Sequence, residues 1–202
     1  MKTMCVTGRS TRSDADYDRL LAGFGAFPPD YFEVRDKAAT DRRVLELLRR
    51  AVEALGGPRV LANSRFDLAL AAGAGGVVLP DEGLPVEPVR RETPRGFVVG
   101  KSTHSPEAAR NAAEAGADLV LLGPIFDTPS KREFGPPLAP AAIPETGDSW
   151  PASASLFVIG GIDLRRLDAL APFRARIAGF AGIRAFEDAA DPGAVVREAR
   201  DR

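Results

Sequence analysis

The sequence carries a single cysteine, a single histidine, a single tryptophan and two methionines in 202 residues. One cysteine, Cys5, excludes an internal disulfide and any multi-cysteine metal centre, and one histidine, His104, excludes a histidine-built metal site. Cys5 lies in the apolar run Met4-Cys5-Val6 and reads as a small buried hydrophobe rather than a nucleophile. An excess of either charge is missing too, with 27 Lys+Arg against 28 Asp+Glu and a formal net charge of -1. That balance leaves no electrostatic footprint for nucleic acid or for an anionic membrane surface. No segment approaches the ~20 apolar residues of a membrane span, and the N-terminus lacks the roughly 7–15-residue apolar stretch of a secretory signal, so a cytoplasmic location is expected.

What is there is a 45% hydrophobic chain of the right size for one globular domain, 1–202, around one sizeable core. Short apolar runs rich in β-branched residues recur along it: Met4–Thr7, Tyr31–Val34, Arg59–Ala62, Gly76–Leu79, Phe97–Gly100, Leu119–Leu122, Leu156–Ile159 and Ala178–Gly182. Helical spacing fills Asp14–Phe24, Asp41–Leu55, Ser64–Ala72, Ser105–Ala115, Leu164–Leu170 and Pro192–Arg200. Ser105-Pro106-Glu107 supplies an N-cap, a first-turn proline and a first-turn acid, and glycines at Gly56-Gly57 and Gly116 supply stops. This alternation predicts an α/β fold, a (β/α)8 TIM barrel with short connections. An open doubly wound sheet would want a G-x-G-x-x-G turn after the first strand, and Thr7-Gly8-Arg9-Ser10 is not one. The Pro-, Gly- and Ser-rich stretch 134–154 reads as a long connection after the sixth strand.

Strand C-termini share one mouth in such a barrel, so the polar residues directly after the apolar runs are the candidates for chemistry. Arg35 and Lys37 follow the second run, Asn63 the third, Ser102 and His104 the fifth, and Thr128, Ser130 and Lys131 the sixth. Cations outnumber acids there, which implies an anionic substrate. Gly160-Gly161 after the seventh run allows bare amides to approach an anion, with a following helix adding the positive end of its dipole; a tight turn without a ligand is the alternative. Gly182, Ile183 and Arg184 after the eighth tilt the choice towards phosphate, which an arginine clamps through two hydrogen bonds. His104 is suited to moving a proton near neutral pH.

At these strand ends the chain resembles the thiamine-phosphate synthase and thiazole tautomerase superfamily. The resemblance runs through Phe32-Glu33-Val34-Arg35-Asp36-Lys37, Ala62-Asn63-Ser64-Arg65-Phe66-Asp67, Gly76-Val77-Val78-Leu79, Gly100-Lys101-Ser102-Thr103-His104-Ser105, the stretch from Gly116 to Lys131, and Val158-Ile159-Gly160-Gly161-Ile162. In the synthases it implies magnesium held on a pyrophosphate by two acids, at positions that here read Ser64 and Gly83, and a glutamine where Glu33 stands. The tautomerase branch lacks that metal site and resembles this chain better at Asn63-Ser64-Arg65 and Val78-Leu79-Pro80.

The resemblance therefore implies, first, a metal-independent and cofactor-free tautomerase that aromatises a thiazole carboxylate phosphate. His104 would act as base, phosphate would rest on the backbone around Gly160, Gly161, Gly182 and Ile183, and Asn63, Ser102, Thr128 and Lys131 would line the ring and carboxylate. Arg184 stands where a serine is usual. The second expectation is a divergent synthase joining hydroxymethylpyrimidine pyrophosphate to thiazole phosphate, with magnesium on Asp81, Glu82 or Asp36. The third is a non-catalytic barrel that binds a phosphorylated metabolite. Under each, the partner is a small phosphorylated molecule rather than nucleic acid or membrane, and assembly into a homo-oligomer is left open.

Overall fold

A computed structural model describes residues 1–128, 135–145 and 150–202. Eight strands close into one barrel in sequence order, every neighbouring pair parallel. They are β1 Lys2–Val6, β2 Tyr31–Val34, β3 Val60–Asn63, β4 Gly76–Leu79, β5 Val98–Thr103, β6 Leu119–Leu122, β7 Ser155–Ile159 and β8 Gly179–Gly182. The TIM-barrel expectation holds, with strand ends displaced by two residues at most except at the end of β5. β5 continues furthest past its expected end, from Gly100 to Thr103, by pairing Lys101, Ser102 and Thr103 with Val120, Leu121 and Leu122.

The helices are α1 Asp14–Gly23, α2 Asp41–Leu55, α3 Phe66–Ala72, α4 Val86–Glu92, α5 Pro106–Glu114, α6 Arg184–Glu187 and α7 Pro192–Asp201. Ser105 caps α5 as its sequence promised, its hydroxyl accepting from the Ala108 amide at 3.1 Å. The α4 segment, not foreseen, begins after Pro85 and carries Pro88 in its first turn, where a missing amide costs no intrahelical bond. The helix expected over Leu164–Leu170 does not form; a 3-10 stretch, Asp168–Arg176, lies there instead, with Pro172 inside it to block an α-helical ladder. Between β6 and β7 the described residues hold only a 3-10 turn, Pro140–Ala142. Leu138 and Ala139 pair by their amides with the carbonyls of Pro124 and Ile125, and Trp150 is buried with its Nε1 on the Ala154 carbonyl.

Side chains alternate across each strand. Met4, Val6, Leu61, Val78, Leu119, Leu121, Phe157 and Ala181 fill the barrel, while Phe32, Val34, Ala62, Val77, Val99, Val120, Val158 and Phe180 meet the helices. Cys5 belongs to that outer layer, fully buried, and burial pushes its thiol pKa up, as a core residue's would be. Tyr17 ties α1 to α2 by donating to the Leu47 carbonyl at 2.9 Å. No helix among the described residues is long and apolar enough to cross a membrane.

Candidate active site

On β2, Phe32 and Val34 face the outer core, so Glu33 and Arg35 face the barrel mouth. Glu33 is only 2% exposed, and Asn63 at the end of β3 donates its Nδ2 to Oε1 at 2.7 Å. Burial pushes the Glu33 carboxyl up to about 7, outweighing the Asn63 hydrogen bond and the Arg35 charge, both of which favour ionisation. Thr7, one residue beyond β1, holds the Arg35 backbone from both sides. Its hydroxyl accepts from the Arg35 amide at 2.7 Å and donates to the Arg35 carbonyl at 3.0 Å.

The unbroken extended run that would carry Lys37 onto the Arg35 side does not continue past β2. β2 stops at Val34, and Asp36 bends the chain by accepting from the amides of Ala38 and Ala39 with its Oδ1, leaving Lys37 exposed.

Ser102 faces inward on β5, because its neighbour Lys101 points outward. The Lys101 ammonium is held by the carbonyls of Pro80, Asp81 and Leu84 at 2.7, 2.9 and 3.4 Å, which moors the loop between β4 and α4. His104 follows directly, and its Nδ1 meets the Gly123 carbonyl. A carbonyl only accepts, so Nδ1 carries the proton and, in the neutral ring, Nε2 keeps its lone pair.

Gly123 opens the segment that packs under the Gly160-Gly161 turn. Ile125 and Phe126 donate their amides to the carbonyls of Ile159 and Gly160 at 2.9 and 3.0 Å. A Cβ on Gly160, at φ 99°, would lie 2.6 Å from Pro124 Cα, and one on Gly161, at φ 67°, 2.7 Å from the Asp127 carbonyl oxygen. The glycine pair thus has a packing cause of its own, and the helix dipole expected behind it is not supplied, since no α-helix follows before β8. What the geometry does bring together is His104 and this turn on one rim, with Gly123–Phe126 between them.

Gly182 ends β8, and Ile183 leads into α6. Arg184, the first residue of α6, reaches back across the rim to place its Nη2 3.5 Å from the hydroxyl of Thr128. Ser130 and Lys131, also expected in the site, lie outside the described residues. Two surface clefts, of about 570 and 430 Å³, lie elsewhere: between α1 and α2 beside Arg50, and at the opposite barrel face around Lys2, Asp30 and Arg59. In the first, Arg50 pairs with Asp14 and Asp18.

Residues 3–186 match the thiamine monophosphate synthase family. The chain belongs to this family. Among relatives, the thiamine-phosphate synthase of Methanoculleus marisnigri is 39% identical over 194 residues, covering 95% of this chain and 88% of the relative. That of Anaeromyxobacter dehalogenans is 45% identical over 163 residues, covering 80% and 72%. The solved thiamine phosphate pyrophosphorylase of Pyrococcus furiosus superposes with a TM-score of 0.74 at 25% identity, covering 99% and 94%. A 3-hexulose-6-phosphate synthase from Salmonella typhimurium, at 19% identity and TM-score 0.65, shares the barrel alone. The relatives carry the synthase name, which favours the divergent synthase, the second expectation, over the tautomerase, the first.

Magnesium, which the family resemblance implies, finds a poor donor set in this family member. Ser64 stands at φ 67° with its amide on the Val78 carbonyl, and Gly83 closes a turn onto the Pro80 carbonyl; neither brings a carboxylate. Asp36 is engaged in its turn, and among the described residues no three His, Cys, Asp or Glu side chains converge as metal ligands. The two family positions supply no carboxylate here, and the acids left to meet magnesium near the fourth strand are Asp81 and Glu82, both exposed in the loop between β4 and α4.

Two carboxylates matter at the rim that were not among the expected site residues. Glu33 entered the sequence reading only as the residue standing where a glutamine is usual, although it was visible as an acid alternating with Arg35 inside an apolar strand. Glu187 gave no signal, because its partners lie at the other end of the chain.

Proposed function

We propose that this chain is a thiamine-phosphate synthase, joining a hydroxymethylpyrimidine pyrophosphate to a thiazole phosphate. The observation that carries the reading is the family match over residues 3–186 with relatives of the synthase name at 39% and 45% identity. In the joining step, the thiazole nitrogen lone pair forms a bond to the exocyclic carbon of the pyrimidine, and pyrophosphate leaves with the electrons of the broken C–O bond. No proton has to be removed in that exchange. The barrel residues bind and orient: Arg35 and Arg184 meet phosphoryl charge, the backbone around Gly160, Gly161, Gly182 and Ile183 holds the thiazole phosphate, and Asn63, Ser102 and Thr128 line the rings. His104, with Nε2 as acceptor, is a substrate-facing imidazole rather than an obligatory base.

Purified protein mixed with both substrates should release pyrophosphate and form thiamine phosphate. The assay is run with added magnesium and again with a chelator. No product under either condition would overturn the reading.

A second reading, the tautomerase, is favoured by one observation, the pair Ser64 and Gly83 at the two acid positions. Turnover of the dihydrothiazole carboxylate phosphate, lost in His104→Ala, would support it.

A further inference from the structure

The loop after β1 closes around a carboxylate from the far end of the chain. Gly8 and Ser10 donate their amides to Glu187 Oε1 at 2.8 and 2.9 Å, Arg9 donates its amide to Oε2 at 3.0 Å, and the Ser10 hydroxyl adds a bond of 2.6 Å to Oε1. Three successive amides converging on one anion form a concave cradle of the kind that binds oxyanions. Here Glu187 fills it. The fit is close: a Cβ on Gly8 would stand 2.7 Å from Ile183 Cγ2, so the two loops touch. Arg9 also pairs with Asp188.

Glu187 ends α6, whose four residues begin at Arg184 and follow directly on Gly182 and Ile183. A helix this short does not sustain itself, since nucleation is unfavourable and one turn offers little propagation. No side chain caps its start. It is pinned from outside, by Phe186 stacked on Phe180 in the core and by Glu187 in the β1 loop.

We propose that Glu187 is a positioning residue for phosphate recognition: by docking into the Gly8–Ser10 amides it fixes α6, and with it the Gly182–Ile183 backbone and the Arg184 guanidinium, in the orientation that receives the substrate phosphate. This rests on reading residues 182–184 as phosphate ligands. The device spans the first and last loops of the barrel, so it also sets the phosphate side of the mouth against the Thr7–Arg35 side.

The test uses Glu187→Gln and Glu187→Ala, the first keeping shape if the second folds poorly. Calorimetry reads binding of inorganic phosphate and of thiazole phosphate, and steady-state kinetics reads each substrate separately. With charged hydrogen bonds removed, affinity for both phosphate ligands should fall roughly tenfold and the KM for thiazole phosphate rise in step, while kcat and the KM for the pyrimidine substrate stay within about twofold. Amide exchange at Gly8, Arg9 and Ser10 should speed up. Wild-type binding retained unchanged in folded variants would overturn the proposal alone. Absence of phosphate binding by the wild type would overturn it together with the phosphate reading. A joint loss of kcat and both KM values, tracking a fall in melting temperature, would show general loosening and overturn it as well.

Discussion

Asn63 donates to Glu33 at 2.7 Å across the tops of β3 and β2, and this hydrogen bond holds a buried carboxyl at the floor of the barrel mouth. Because burial raises the folded pKa of Glu33 to about 7 from an ordinary 4.5, the native state retains a proton that the unfolded chain has given up over that interval.

Below pH 4.5 both states are protonated and Glu33 costs nothing by ionising; between 4.5 and 7 stability falls as pH rises; above 7 the loss is complete. Glu33→Gln, which keeps the shape without the charge, should remove this slope. Denaturant unfolding at pH 4.5 and pH 8 should show the variant gaining on the wild type by about 3 kcal/mol across the range, because each pH unit between the unfolded and folded pKa values is worth about 1.4 kcal/mol. A pH-independent difference between the two proteins would rule out the buried-acid assignment.

His104→Ala separates the two activities. If the chain joins its substrates as proposed, kcat should fall less than about tenfold, because no proton must be abstracted, and KM should carry most of the change. A loss of about 10²–10⁴ in kcat, the usual size of general acid-base catalysis, would return the imidazole to the base role.

Gly160→Ala should destabilise the barrel by at least about 2 kcal/mol, since φ 99° is strained for any side chain and the new methyl meets Pro124 Cα at 2.6 Å. Thermal unfolding checks it. An alanine variant as stable as the wild type would show that the segment after Gly123 yields, which would also loosen the link between His104 and this turn.

Lys101→Met should free the carbonyls of Pro80, Asp81 and Leu84. The side chain is partly exposed, so the stability loss should be modest, about 1–2 kcal/mol for hydrogen bonds to a charged group. The clearer readout is hydrogen exchange, which should accelerate in residues 80–85 and not in α5. Unchanged exchange would mean the loop holds its shape without the ammonium.

Much of this barrel was legible from the chain alone because its signals are local. β-branched runs at regular spacing marked the strands, Ser105 announced the start of α5, and Gly56 and Gly116 announced stops, each through backbone preferences that act within a few residues. The rim positions followed from the rule that polar residues after strands share one mouth. Where local rules competed, they failed: Pro172 and Pro88 gave opposite outcomes, one inside an interrupted segment and one in a tolerant first turn. Only the tertiary structure decided which side chains meet. Closure of β8 onto β1 brings Glu187 to Gly8, and the loop after β6 comes under Gly160 and towards Arg184. It also turns Glu33 into a buried acid, because a residue's charge state depends on the solvent its neighbours exclude, and those neighbours come from strands far apart in the chain.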